Sequence, residues 1–142
     1  MPSASHSVTI NRPASEVFAF VAEGENAPRW RTGVLDIRRV SGQGVGAVYR
    51  QGVRGPGGRR VAADYQVTAY QPDTLLAFKT IAGPVRPTGE FRLDEADGAT
   101  TLTLSLRADL AGVKRLVMSG MVQKTMDAEV AAIDNVKVLL EA

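Results

Sequence analysis

Glu129 is the acidic residue whose position fits its surroundings least well in this chain of 142 residues. Counted at about 100° per residue, it projects between Thr125, Met126, Ala132 and Ile133, near the middle of an apolar stripe. A carboxylate there is costly unless it is paired, wetted by a cavity or protonated. Three readings stay open: a cavity acid that binds a ligand group or moves a proton, a partner for an arginine, or a side chain that overhangs the core and reaches solvent. Tyr65 is the second chemical candidate. Alternation puts it on one strand face with Val61, Ala63, Val67 and Ala69, and a buried phenol needs a hydrogen-bond partner in the protein or in a ligand. Glu129 and Tyr65 are therefore the candidate catalytic residues.

Other side chains have the character of a cavity wall. Trp30 is the sole tryptophan, large and amphipathic enough to line a pocket or to anchor short helices to a sheet. Tyr49, Phe78 and Phe91 fall on strand faces that alternation makes apolar. Met118, Met121 and Met126 lie close together, and methionine fills irregular space both in cores and at adaptable binding surfaces. The expected ligand-binding set is Trp30, Tyr49, Tyr65, Phe78, Phe91, Met118, Met121, Thr125 and Glu129. Glu90 and Arg92 flank Phe91 and should face solvent, whereas Arg86, just after a Gly-Pro pair, is placed to guard a cavity mouth.

Much chemistry is excluded by what the chain lacks. There is no cysteine, hence no disulfide and no thiolate nucleophile or metal ligand. His6 is the only histidine, so a histidine-based metal site has no partners; at the start of the first strand it is expected on the surface. No G-x-S-x-G elbow accompanies the serines. The glycine runs GQGVG (42–46) and GVRGPGG (52–58) do not join a strand to a helix, as phosphate-binding loops do. No metal and no nucleotide cofactor are expected. A net charge of +2 from 17 basic and 15 acidic residues is no nucleic-acid footprint. The first residues lack a basic and apolar leader pattern, and no apolar run reaches about 18 residues. A cytoplasmic protein without a membrane span, monomeric or homodimeric, is expected.

The elements that must position these residues follow from periodicity. His6 to Asn11 alternates as a strand; Pro13 and Glu16 open a short helix carrying Val17, Phe18, Phe20 and Val21, and Asn26 to Trp30 form a second short turn. From Val34 to about Asp109, apolar and polar residues alternate between turn signals such as Gln71-Pro72-Asp73 and Ala96-Asp97-Gly98, the pattern of an antiparallel sheet wetted on one face. From Val113 to Glu141 an amphipathic helix runs with no proline and one glycine, Gly120. The sheet face and the helix stripe are the two largest surfaces needing cover, so they should face each other. The expectation is an α+β protein, one domain over residues 1–142, with roughly seven antiparallel strands curved around a long C-terminal helix.

That order, together with VTINRPASEVFAFVAEGENAPRW (8–30), GQGVGAVYR (42–50), DGATTLTLSL (97–106) and IDNVKVLLEA (133–142), resembles the START-like or polyketide cyclase/dehydrase superfamily, also called SRPBCC. Its members include birch-pollen-type allergens and bacterial aromatase/cyclases. The resemblance covers the whole chain and implies a helix-grip fold whose ligand cavity lies between sheet and helix. It implies no single activity. The leading expectation is binding, transport or sequestration of an apolar or aromatic small molecule. The alternatives are a cyclase- or dehydratase-type enzyme using Glu129 and Tyr65 as acid–base groups, and a partner-binding domain with a residual cavity.

Overall fold

The computed structural model describes residues 2–110 and 112–142, with side chains described for 2–110 and 119–142. Strand β1 (Ser3–Ile10) leads into α1 (Ala14–Ala22), a 3-10 turn (Gly24–Asn26) and α2 (Ala27–Trp30). Strands β2 (Val34–Ser41), β3 (Val48–Arg54), β4 (Arg60–Ala62), β5 (Tyr65–Gln71), β6 (Leu75–Thr80), β7 (Thr88–Ala96) and β8 (Ala99–Arg107) follow, and α3 (Gly112–Ala131) and α4 (Asp134–Glu141) end the chain. The eight strands form one antiparallel sheet in the order β1-β8-β7-β6-β5-β3-β2, with the three-residue β4 paired to β3 off this path. This is the helix-grip architecture, one short strand richer than the seven expected.

Local chemistry accounts for the breaks between elements. Pro13 sits in extended conformation just before α1, and the orphan N–H of Ala14 is satisfied by the Glu95 carboxylate at 2.7 Å. β7 and β8 join through Asp97 and Gly98, both at positive φ (55° and 79°), the two-residue turn whose twist matches a hairpin. In β8, Leu102, Leu104 and Leu106 are buried, while Ser5–Ser105, Ser7–Thr103 and Thr9–Thr101 pair their hydroxyls on the opposite face.

Two expectations change. Ala69 does not continue the face of Val67: a register shift lies between them against Phe78 and Ala77. The extra residue hands the inward position to Tyr70, which pairs with inward-facing Leu76 and sets its ring edge-on to Phe18 at 5.2 Å. The C-terminal helix is also interrupted. At Ala132–Ile133 the backbone bonds shorten to the 3-10 spacing, as in Ile133 N–H to Val130 carbonyl at 3.3 Å and Val136 N–H to Ile133 carbonyl at 3.0 Å. Residues three apart eclipse in such a turn. Val130, Ile133 and Val136 therefore line up, and all three are buried.

The helix also covers the free edge of β1. Gln123 bonds both the N–H (3.2 Å) and the carbonyl (2.6 Å) of Ser3, and Lys137 Nζ donates to the Thr9 carbonyl at 2.7 Å. Side chains thus occupy backbone groups that an edge strand would otherwise offer to another chain. His6, expected on the surface, keeps its side chain 37% exposed. It pairs across from Leu104 on the inward side of β1, is half-buried, and has Nε2 at 2.9 Å from Asp134 Oδ1. Among the described residues no helix is long and apolar enough to cross a membrane.

Candidate functional site

The sheet and the helices enclose a cavity of about 620 Å³. α1 and α2 contribute Val21, Ala27 and Trp30; β3, β5, β6 and β7 contribute Tyr49, Tyr65, Phe78 and Phe91; α3 contributes Met121, Val122, Thr125, Met126 and Glu129. Of the ligand-binding residues expected from sequence, eight line this one space, and Met118 falls outside the described side chains. Met121 and Thr125 are exposed as well as lining, so they stand at the opening. Met126 lies deeper and is buried.

Five aromatic rings form a continuous wall. Tyr49 and Tyr65 stack at 4.9 Å and 14° between planes. Tyr65 meets Phe78 at 5.6 Å, Phe78 meets Phe91 at 6.1 Å, and Phe91 meets Trp30 edge-on at 6.1 Å. These spacings lie in the range where ring pairs attract beyond their simple burial. Gly24 makes room for the stack: a Cβ there would lie 2.6 Å from Tyr49 Cε2 and against Tyr65 Oη. Its N–H instead donates to Tyr49 Oη at 3.4 Å.

Burial raises both tyrosine pKa values above the ordinary phenol value. For Tyr65 burial is the main cause, the neighbouring Tyr49 adds to it and Arg31 opposes it. For Tyr49 burial again dominates, against the opposing Gly24 hydrogen bond. Both phenols are therefore neutral at physiological pH. Tyr65 Oη makes no hydrogen bond to a described side chain or backbone group, leaving it a donor into the cavity.

Glu129 occupies the cavity wall as a paired carboxylate. Arg31 Nε donates to Oε2 at 2.9 Å and Nη2 to Oε1 at 3.1 Å, the fork geometry that makes arginine–carboxylate pairs strong. Arg31 Nη1 reaches Gln51 Oε1 at 2.8 Å, Gln51 Nε2 donates to the Ala63 carbonyl at 3.0 Å, and the Arg31 guanidinium lies 5.9 Å from the Trp30 ring centre. The polar wall is thus Arg31, Gln51 and Glu129, each lining the cavity. Of the three openings left by the sequence, the arginine-paired one is the geometry found.

Sequence reasoning missed Arg31 and Gln51. Gln51 was within reach of the alternation argument, since Tyr49, Gln51 and Val53 share one face of β3 and all line the cavity. Arg31 follows the last residue of α2, where no period applies. Glu90 and Arg92 do face outward, and Arg92 Nε meets Glu90 Oε2 at 2.8 Å. Arg86 is exposed and donates to the Gly83 carbonyl at 3.1 Å; its neighbours Pro84, Val85 and Pro87 line the opening, but it does not. Among the described residues no three histidines, aspartates or glutamates are grouped to hold a metal.

An eight-stranded sheet gripping a C-terminal helix around a mostly apolar cavity defines a class of ligand-cavity proteins. The chain belongs to the family described as polyketide cyclase/dehydrase and lipid transport, whose model matches residues 1–141. Among solved structures it is similar to a START superfamily protein from Mycobacterium smegmatis, with TM-score 0.80 and 15% identity over 98% of this chain and 97% of that one. It is similar also to a protein from Thermus thermophilus, with TM-score 0.75 and 19% identity over 99% and 92%. The ZhuI aromatase/cyclase from Streptomyces sp. R1128 matches with TM-score 0.71 and 18% identity over 92% and 90%. At these identities the likeness concerns the fold. No curated protein matches the chain in sequence.

Proposed function

We propose that the chain is a single START-like domain that binds an apolar or aromatic small molecule, for transport or sequestration, in the cavity between sheet and C-terminal helix. The observation that carries this reading is the continuous wall of Trp30, Phe91, Phe78, Tyr65 and Tyr49 around about 620 Å³ of space, a volume within the range of small-molecule sites. The ligand presents a polar group to the Arg31–Gln51–Glu129 cluster and a hydrogen-bond acceptor to Tyr65. A cytoplasmic location and a monomeric or homodimeric state belong to the same proposal.

A cyclase- or dehydratase-type enzyme is the second reading, favoured by the free Tyr65 hydroxyl facing the cavity. Its burial-raised pKa keeps the phenol protonated, which suits a hydrogen-bond donor to a carbonyl oxygen and makes it a weaker acid. Glu129, tied to Arg31, would need to leave its partner before taking a proton. Native mass spectrometry of the purified protein tests the binding reading. A copurified aromatic or acyl molecule at one per chain supports it. A protein that carries nothing and takes up no aromatic or acyl probe contradicts it.

A further inference from the structure

We infer that the mouth of the cavity docks onto an anionic lipid surface. Three segments form the mouth: residues 52–63 after and including the end of β3, residues 81–87 between β6 and β7, and residues 119–126 of α3. Each contributes lining residues that open outward, among them Arg54, Pro56, Pro84, Val85, Met121 and Thr125.

Charge is segregated to these segments. They carry Arg54, Arg59, Arg60, Arg86 and Lys124 and no acidic residue, while the other twelve basic residues share the rest of the chain with all 15 acidic ones. A net charge of +2 therefore conceals three positive segments on an otherwise slightly negative protein, with Asp64 and Asp127 at their borders. Arg60 is held by Asp36, with Nη2 to Oδ1 at 2.9 Å. Arg54, Arg59, Arg86 and Lys124 are exposed and make no ion pair with a described residue. Of the two acids that line the cavity, Glu129 is taken by Arg31 and the exposed Glu23 accepts from the Glu25 N–H.

Apolar side chains stand among these cations. Met121 is 52% exposed and Ile81 37%, and the tips of both loops carry proline and glycine. Basic residues around exposed apolar ones are what an anionic bilayer attracts: the cations meet the headgroups while the apolar tips enter the acyl boundary. An acidic polypeptide would be drawn by the cations too, but exposed methionine and isoleucine beside an apolar cavity favour lipid. Docked in this way, the opening faces the phase in which an apolar ligand dissolves. The inference rests on the binding reading for its purpose but not for its test, which uses the protein without added ligand.

The test is cosedimentation with vesicles of equimolar phosphatidylglycerol and phosphatidylcholine, against pure phosphatidylcholine. Arg59→Gln, Arg86→Gln and Lys124→Gln are combined in one variant; none of the three lines the cavity, so thermal unfolding of the variant should match the parent. The parent should bind anionic vesicles, release them as salt is raised, and bind neutral ones far more weakly. At about fivefold per basic residue near the surface, the triple variant should bind about a hundredfold more weakly. Failure of the parent to bind anionic vesicles, equal binding to neutral ones, or undiminished binding by the variant would overturn the inference. Capture by soluble polyglutamate but not by vesicles would overturn it in favour of an acidic protein partner.

Discussion

The guanidinium of Arg31 and the carboxylate of Glu129 meet through two hydrogen bonds, 2.9 and 3.1 Å long, that tie the end of α2 to α3 across the wall of the cavity. The side chains are only 18% and 27% exposed, so the pair is partly withdrawn from solvent. Nothing else links α2 to the C-terminal helices with comparable geometry among the described side chains except Asn135 Nδ2 to the Trp30 carbonyl, at 3.0 Å from α4.

Glu129→Gln should therefore act mainly on stability. It leaves the Arg31 charge facing a neutral amide, at a cost of about 1–3 kcal/mol, discounted from the fully buried case for partial exposure. Urea denaturation measures the loss. A cycle with Arg31→Gln should show the two effects to be strongly non-additive. Additive losses would mean that the pair is not coupled in solution.

Gly24→Ala should destabilise through sterics alone. The new methyl would meet Tyr65 Oη and the Tyr49 ring edge, both held in a stacked pair that cannot shift freely. The expected loss is about 1–3 kcal/mol, seen as a lower thermal midpoint. Tyr65→Phe removes one of the three clashing atoms, so the Gly24→Ala penalty should shrink in that background.

The raised tyrosine pKa values predict an alkaline instability with a definite sign. The unfolded chain ionises its phenols near the ordinary value of 10.0, whereas folded Tyr49 and Tyr65 hold their protons more tightly. Above that pH the unfolded state gives up protons that the folded state retains, so stability is full below about pH 10 and falls as pH rises beyond it. Phenolate absorbance and denaturation should report this together, and Tyr49→Phe with Tyr65→Phe should flatten the dependence.

Much of this arrangement was legible in the residues. Alternation located Tyr65, Phe78 and Phe91, and Asp97-Gly98 marked a hairpin, because period two and turn chemistry are local properties. Helical spacing brought Glu129 to the cavity wall. The same spacing also places Val130, four residues after Met126, on the buried face, although it was not singled out from the sequence. Ala69 was misplaced because a bulge is one uncounted residue. Arg31 could not be found, because its partners lie 20 and 98 residues away in sequence and only the folded chain brings them together.

The central claim is that the aromatic-walled space takes up a ligand, and Trp30 is a built-in reporter of it. The sole tryptophan lines the cavity and is 5% exposed, so an aromatic probe such as 1-anilinonaphthalene-8-sulfonate should quench its emission saturably at one equivalent per chain. Ala63→Phe, which extends a ring into the same space from beside Tyr65, should weaken that binding at least about tenfold while leaving the protein folded. Quenching that never saturates, or a variant that binds as well as the parent, would contradict the account.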